Sequence, residues 1–164
     1  MIPAQILADT LDKTRTLTNY FLHKLKEVDP YQRNVFGGME FNSIYWITAH
    51  IAWAEHNLII KCSGGQQLDL DQLTHYLKGS DGSLHNDKMP YEKLLEKKDE
   101  IHRYVMDYLQ TKDAAWLETE NSLKFGMNGD TSNRFLIQHA IRHEGNHGGQ
   151  LLWIGKMNGL QLIK

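Results

Sequence analysis

Apolar residues recur every three or four positions along four long stretches of the chain, the spacing that places them on one face of an α-helix. The stretches run from about Ala4 to Val28, from Asn42 to Lys61, from Pro90 or Tyr91 to Thr111, and from Thr131 or Ser132 to Met157. Little strand is indicated. Four amphipathic helices in 164 residues predict an all-α fold, a four-helix bundle formed by residues 1–164 as a single domain.

The predicted helix ends carry recognisable signals. Asn42 has the side chain of an N-cap for the second helix, and Thr131 or Ser132 has that of an N-cap for the last. Asp29-Pro30 is expected to end the first helix, because the residue before a proline is pushed out of the α region.

A long polar connection, Gln66 to Met89, separates the second and third helices. Leu68 to Leu77 within it, and Asp113 to Glu118 later in the chain, are each expected to form a short helical turn. A connection of this length inside a compact domain is often functional or a crossover. We therefore expect the second and third helices to run parallel.

Charge and composition narrow the function classes. A net charge of −2, from 18 basic and 20 acidic residues, argues against nucleic-acid binding. The most apolar uncharged stretch, Ile44 to Ala54, is shorter than the ~18 residues of a membrane span. Early acidic residues do not fit a signal peptide, and the lone Cys62 fits a reducing compartment, so a cytoplasmic protein is expected.

Histidine is the unusual residue, with nine copies in the chain. On helical wheels, His23 and His56 point away from the apolar stripes and are expected to face solvent. His102 lies at the border of a stripe. His75 and His85 lie in the long connection, which is therefore a candidate source of a further metal ligand.

Two histidines of the last helix, His143 and His147, occupy the middle of its apolar face, four residues apart, a spacing that suits chelation of one ion. His50 lies at the edge of the buried face of the second helix, and His139 flanks the pair. Three histidines leave open positions for water or substrate, the pattern of a catalytic metal site. Imidazoles suit zinc, nickel, iron or copper. Hydrogen-bonded core histidines without a metal are the alternative.

Three polar neighbours are candidates to orient a ligand or a substrate. Gln150 lies beside the histidine pair, Glu144 flanks it, and Glu55 lies on the second helix, where a surface or helix-pairing role is equally compatible with its position. The stretch HEGNH at 143–147 is similar to the zincin motif, which keeps a metal-dependent hydrolase as an alternative. A chain of this size has no evident cleft for a protein substrate.

The stretch QHAI at 138–141, followed by HEGNHGGQL at 143–151, resembles the last-helix motif of the DinB/YfiT-like bundle proteins, and HIAWAE at 50–55 resembles their second helix. The resemblance covers nearly the whole chain. It implies an up-down-down-up bundle, a homodimer, and a divalent metal, often zinc or nickel, held by His50, His143 and His147. Many relatives have Arg where this chain has Gly148, so any contact made by that Arg is missing here.

The resemblance also implies candidate functions. Some relatives are thiol-dependent transferases or isomerases, so the most concrete expectation is an S-transferase that joins a low-molecular-weight thiol, of bacillithiol or glutathione type, to a small electrophile. The first alternative is a non-catalytic, stress-associated bundle that binds a metal or a ligand. The second alternative is a metal-dependent hydrolase.

Tryptophans and glycines add two structural expectations. Trp46, Trp53 and Trp153 lie well off the apolar stripes, which predicts a dimer interface or a pocket mouth, with packing under loops as the alternative. The adjacent Gly148 and Gly149 cost roughly 1 kcal/mol each inside a helix. Such a cost predicts a close helix approach, a kink or a nearby partner backbone.

Overall fold

The computed structural model describes residues 3–77, 79–80 and 89–163, and the chain is mostly helical there. The helices are α1 (Pro3–Lys24), α2 (Ile44–His56), α3 (Tyr91–Gln110), α4 (Ala114–Glu118) and α5 (Asn133–Met157). A π-helical turn, Asn57–Lys61, prolongs α2, and a 3₁₀ helix, Asp71–Tyr76, follows in the long connection. Two short strands, β1 (Val35–Phe36) and β2 (Met39–Glu40), form an antiparallel hairpin between α1 and α2. The predicted all-α class is confirmed.

The helix ends follow local hydrogen bonding, and two of them differ from expectation. Ser43, rather than Asn42, caps α2, since its Oγ accepts a hydrogen bond from the Trp46 N–H at 3.1 Å. Ser132 caps α5 as expected. α1 ends at Lys24, before Val28, because the Leu25 N–H is shared between the carbonyls of Phe21 and Leu22 and the chain tightens into turns.

The four long helices surround one core, and each packs against two of the others. α1 contacts α5 and α3, and α2 contacts α3 and α5. All four contribute fully buried apolar side chains, among them Leu11, Ile47, Ile51, Leu94, Ile101, Leu151 and Ile154. Burial of these stripes is the main stabilising contribution to the fold.

α2 is buried on nearly every side, and this overturns one prediction. All of its residues except Trp53 are buried, including His56, which the wheel had placed in solvent. The segment after α2 folds back over that face, and the Leu68 N–H donates to His56 Nε2 at 3.0 Å. Burial lowers the pKa of His56 to about 4, so this histidine is a neutral hydrogen-bond acceptor. His23 is exposed, as predicted.

The glycines of α5 do not mark a close helix contact at Gly149. A Cβ there would meet nothing within 4 Å, and one at Gly148 would only touch the Phe21 ring at 3.5 Å. The expectation of a close approach is therefore wrong for Gly149. Packing within the described part of the chain does not compensate its helical cost, and a partner backbone beside it stays a prediction.

We expect Gly149→Ala to raise the free energy of unfolding by about 0.5–1 kcal/mol, because alanine is the better helix former and the space is open. The matched control on the same helix is Gly155→Ala, where the new Cβ would lie 2.7 Å from Cγ of Leu162. Urea denaturation compares the two. Equal stability changes in both variants would contradict the assignment of Gly149 as uncrowded.

Within the described residues, no helix combines the length and the apolar character that a membrane crossing requires.

Candidate metal centre

Three histidines converge between α2 and α5. His50 comes from α2, and His143 and His147 come from consecutive turns of α5, so that each offers a ring nitrogen within 4.8 Å of the others. His50 Nε2 lies 3.1 Å from His143 Nε2, which lies 3.3 Å from His147 Nε2. The three Nε2 atoms therefore face one shared point, an arrangement compatible with a single metal ion.

The histidines of this cluster are held in the neutral form that a metal requires. Burial is the largest influence on each ring, and it lowers the pKa of His50 to about 4 and that of His143 to about 3. Burial also lowers the pKa of His147. At neutral pH none of the three needs to lose a proton before it binds an ion.

Outer hydrogen bonds fix two of the rings. His50 Nδ1 lies 2.5 Å from the carbonyl oxygen of Tyr76, and His147 Nδ1 lies 2.8 Å from Gln150 Oε1. Both oxygens can only accept, so each Nδ1 carries the proton and donates it. The lone pair is thereby left on Nε2, toward the cluster, as in metal-ligating histidines generally.

The long connection contributes to this site through its backbone. Tyr76, the last residue of the 3₁₀ helix, supplies the carbonyl that orients His50. His75 beside it is exposed and does not belong to the three-histidine group. His85, the other candidate ligand of the connection, lies outside the described residues.

We expect Gln150→Ala to weaken metal binding by about 10–100-fold, because the His147 ring loses the acceptor that fixes its tautomer. Gln110→Ala, at the exposed end of α3, is the matched control. Competition of each purified variant with a zinc chelator measures the affinity. An affinity for Gln150→Ala equal to that of the control would show that the ring needs no such acceptor.

Two of the tryptophans stand beside the cluster. Trp46 is buried and stacks on His50, with ring centroids 4.5 Å apart and planes at 19°, and the Trp53 centroid lies 6.1 Å from that of His50. Both line a cavity, which is the pocket-mouth alternative of the sequence analysis. Trp153, on α5, is 55% exposed and is not among the described residues that line this cavity.

A cavity of about 930 Å³ opens onto the cluster. This volume is near the upper end of the range of about 300–1,000 Å³ for small-molecule sites. The described residues around it include the three histidines, Gln150, Trp53, Asn57, Arg33, Phe125, Met127 and His139. His139 is half-buried and stacks on Phe135, so it lies in the wall of the cavity and outside the group of three.

The two predicted carboxylate neighbours point elsewhere. Glu144 and Glu55 are both buried, and both bind the guanidinium of Arg15 on α1, at 2.7 Å from Glu144 Oε1 and 2.9 Å from Glu55 Oε2. Neither lines the cavity among its described residues. The helical wheel places each glutamate at the border of a stripe. Whether its carboxylate turns toward the histidines or away from them depends on α1, which supplies Arg15 to both glutamates.

Arg15 is the residue that the sequence reading missed. It is 2% exposed and joins α1 to the two helices that carry the histidines. Burial opposes its charge, but Glu55 and Glu144 outweigh that effect and raise its pKa. The available signal was its place four residues after Leu11, at the border of the apolar stripe of α1.

His102 extends this buried network toward the surface. Its Nδ1 lies 2.6 Å from Glu55 Oε1, and its Nε2 lies 3.3 Å from Oδ1 of Asp12. Burial alone would lower the pKa of His102, but the hydrogen bond and charge of Glu55 outweigh it and raise that pKa. For Glu55 itself burial is again the largest influence, and Arg15 and His102 overcome it and lower the pKa.

The raised pKa gives a testable pH dependence. Protonated His102 stabilises the fold fully below its unfolded pKa of about 6.5, and this contribution is lost as pH rises through the higher folded pKa. We expect the stability difference between the wild type and His102→Gln, both metal-free, to shrink from pH 6 to pH 9. Chemical denaturation along the pH series measures it. A difference that grows over this range would contradict the raised pKa.

Cys62 takes no part in the cavity. It is buried against Phe135 and Leu136, and burial raises the pKa of its thiol. A thiol in such surroundings is a poor nucleophile.

The fold and the site together define a class, a helical protein whose core carries a three-histidine cluster compatible with one metal ion beside a small-molecule cavity. A family model described as the DinB superfamily matches residues 10–151. The chain therefore belongs to the DinB superfamily, and the resemblance of its histidine motifs is confirmed. No curated protein matches the chain.

Proposed function

We propose that the protein binds one divalent metal ion, zinc or nickel, through His50, His143 and His147. The observation that carries this proposal is the convergence of three Nε2 atoms while two Nδ1 atoms are tied to carbonyl oxygens. Three neutral protein ligands leave a coordination position open, as catalytic zinc sites do.

We further propose that the protein is a thiol S-transferase acting on small electrophiles. When bound, such a metal lowers the pKa of a thiol or water beside it. Cys62 is the one cysteine of the sequence and is buried away from the cavity, so the nucleophilic thiol must belong to a small molecule that binds there. A cavity of about 930 Å³ has room for a low-molecular-weight thiol and a small electrophile together.

Two alternatives differ from this proposal in what the cavity must supply. A hydrolase of the zincin type uses a glutamate as general base beside the metal, but Glu55 and Glu144 are both engaged by Arg15. This observation favours transfer over hydrolysis. A non-catalytic metal- or ligand-binding bundle needs no further group and is distinguished only by turnover.

Metal analysis and turnover test the proposal separately. Protein purified without an affinity tag is expected to hold about one zinc or nickel ion per chain. The loaded protein is then incubated with bacillithiol, glutathione or mycothiol and monochlorobimane, and the fluorescent conjugate is followed. Absence of metal would refute the metal centre. Metal without turnover would refute the transferase and support the binding protein.

We also propose the finer architecture that the family implies. Residues 1–164 form one domain, an up-down-down-up bundle in which the long connection crosses over between α2 and α3. A homodimer is proposed on the exposed Trp153 and Ile163, at 55% and 53% exposure. Light scattering behind a sizing column tests it, and a monomer at micromolar concentration would refute it.

A further inference from the structure

The cavity beside the histidines is unevenly charged. Among its described lining residues Arg33 is the only one with a permanent charge, and none of them is an aspartate or a glutamate. Imidazoles are neutral ligands, so a divalent ion between them would keep its full positive charge. A lining that presents a guanidinium and no carboxylate among its described residues suits an anion better than a cation. The cavity therefore favours an anion.

Among its interactions, Arg33 forms an ion pair with Glu40 that the carboxylate of a ligand can replace. Its Nη1 lies 3.0 Å from Oε2 of Glu40 on β2, and the two side chains are 27% and 54% exposed. Because Glu40 is exposed and Arg33 is only partly buried, their ion pair contributes little to stability, and its exchange for a pair with a ligand carboxylate costs little. The planar guanidinium fork matches a carboxylate in two parallel hydrogen bonds.

The rest of the wall suits an apolar body. Trp53 projects from α2, and Phe125 and Met127 come from the loop before α5, where they are 38% and 58% exposed. Exposed large apolar side chains grouped around a cavity are typical of a ligand site. A ligand that combines one anionic group with an aromatic or alkyl body would match both parts of the wall.

We propose that this cavity binds a small aromatic or alkyl carboxylate and that Arg33 recognises its carboxylate group. The inference deepens the proposed function by naming the ligand class of the same cavity, and it rests on that function only for the metal. Arg33 is here a specificity residue, and its ion pair with Glu40 is the competing state that the ligand displaces.

The experiment compares 3-phenylpropionate with its neutral amide by titration calorimetry, in zinc-loaded and in metal-free protein. The wild type is expected to bind the carboxylate about tenfold tighter than the amide. Arg33→Met removes this preference, and Arg33→Lys restores part of it. Arg103→Met, an exposed arginine of α3 outside the described cavity lining, is the control and behaves as the wild type.

Glu40→Gln separates recognition from structure. Both Glu40→Gln and Arg33→Met break the same ion pair, but only Arg33→Met removes the guanidinium. Glu40→Gln is expected to bind the carboxylate at least as tightly as the wild type, and thermal melting confirms that both variants fold. A loss in Glu40→Gln equal to that in Arg33→Met would show that the pair acts only structurally and would overturn the inference.

The remaining outcomes are equally decisive. A preference that survives Arg33→Met, or equal or undetectable binding of both probes by the wild type, overturns the role of Arg33. Failure of the protein to take up zinc refutes the proposed metal function but leaves the comparison in metal-free protein intact. The two failures are therefore distinguishable.

Discussion

Replacement of Arg15 by methionine is expected to lower the free energy of unfolding by about 3–5 kcal/mol, the usual result of removing one partner from a buried ion pair. The guanidinium binds Glu55 and Glu144, whose side chains are only 3% and 2% exposed. Without it, two carboxylates stay in the core with only partial compensation, from His102 on Glu55 and from the charge of the buried Lys98 near Glu144. Urea denaturation at neutral pH measures the loss.

A matched surface variant controls for the loss of any arginine ion pair. Arg134 on α5 pairs with Glu118 at 3.0 Å, with the side chains 37% and 64% exposed. Arg134→Met is expected to cost about 0–1 kcal/mol. The triple variant Arg15→Met, Glu55→Gln, Glu144→Gln should recover much of the stability, because no uncompensated charge is left buried. Equal losses for Arg15→Met and Arg134→Met would contradict this account.

Replacement of His143 by alanine is expected to abolish stoichiometric metal binding. Its Nε2 is the middle atom of the cluster, 3.1 Å from that of His50 and 3.3 Å from that of His147. Because a direct ligand is removed, the loss of affinity should exceed the roughly 10–100-fold that follows the loss of an outer hydrogen bond. Metal analysis of the purified variant and zinc titration measure the effect.

His23→Ala is the control for this variant, since His23 is an exposed histidine of α1 far along the chain from the cluster. It should keep the metal content of the wild type. The melting temperature gives a second readout, because zinc should raise it in the wild type and in His23→Ala but not in His143→Ala. Unchanged metal content in His143→Ala would mean that the ion is bound elsewhere.

The incorrect prediction for His56 has a physical origin. A helical wheel distinguishes a buried face from an exposed one only when the helix has both, and α2 is buried all round except at Trp53. His56 therefore had no solvent to face, and the backbone of Leu68 covers it. Trp46, which lies off the stripe, is buried for the same reason, and it stacks on His50 in the cavity wall, as the pocket-mouth alternative predicts.

Glu55 and Glu144 illustrate a second limit. Periodicity placed both near the histidines, and both are indeed buried, but their partner is Arg15, 40 and 129 positions away along the chain. A lone arginine at the border of an apolar stripe does not reveal which acids neutralise it, because that choice depends on which helices come into contact. His102 likewise lies at the border of a stripe, and its partner Glu55, on another helix, outweighs the effect of burial and raises its pKa.

The sequence by itself determined the helices and the three histidines. Helix periodicity and caps are local properties, and two histidines four residues apart on one apolar face must share a direction whatever the rest of the chain does. The DinB superfamily followed from the same motifs and is confirmed over residues 10–151.

Only the tertiary structure decided what surrounds those histidines. It brought the carbonyl of Tyr76 to His50, turned both glutamates toward Arg15, and opened a cavity whose described walls carry the single permanent charge of Arg33. Each of these contacts joins segments that are distant in sequence, and their selection depends on packing of whole helices. Local pattern carries no information about that packing, which is why the three histidines could be read from the chain and their environment could not.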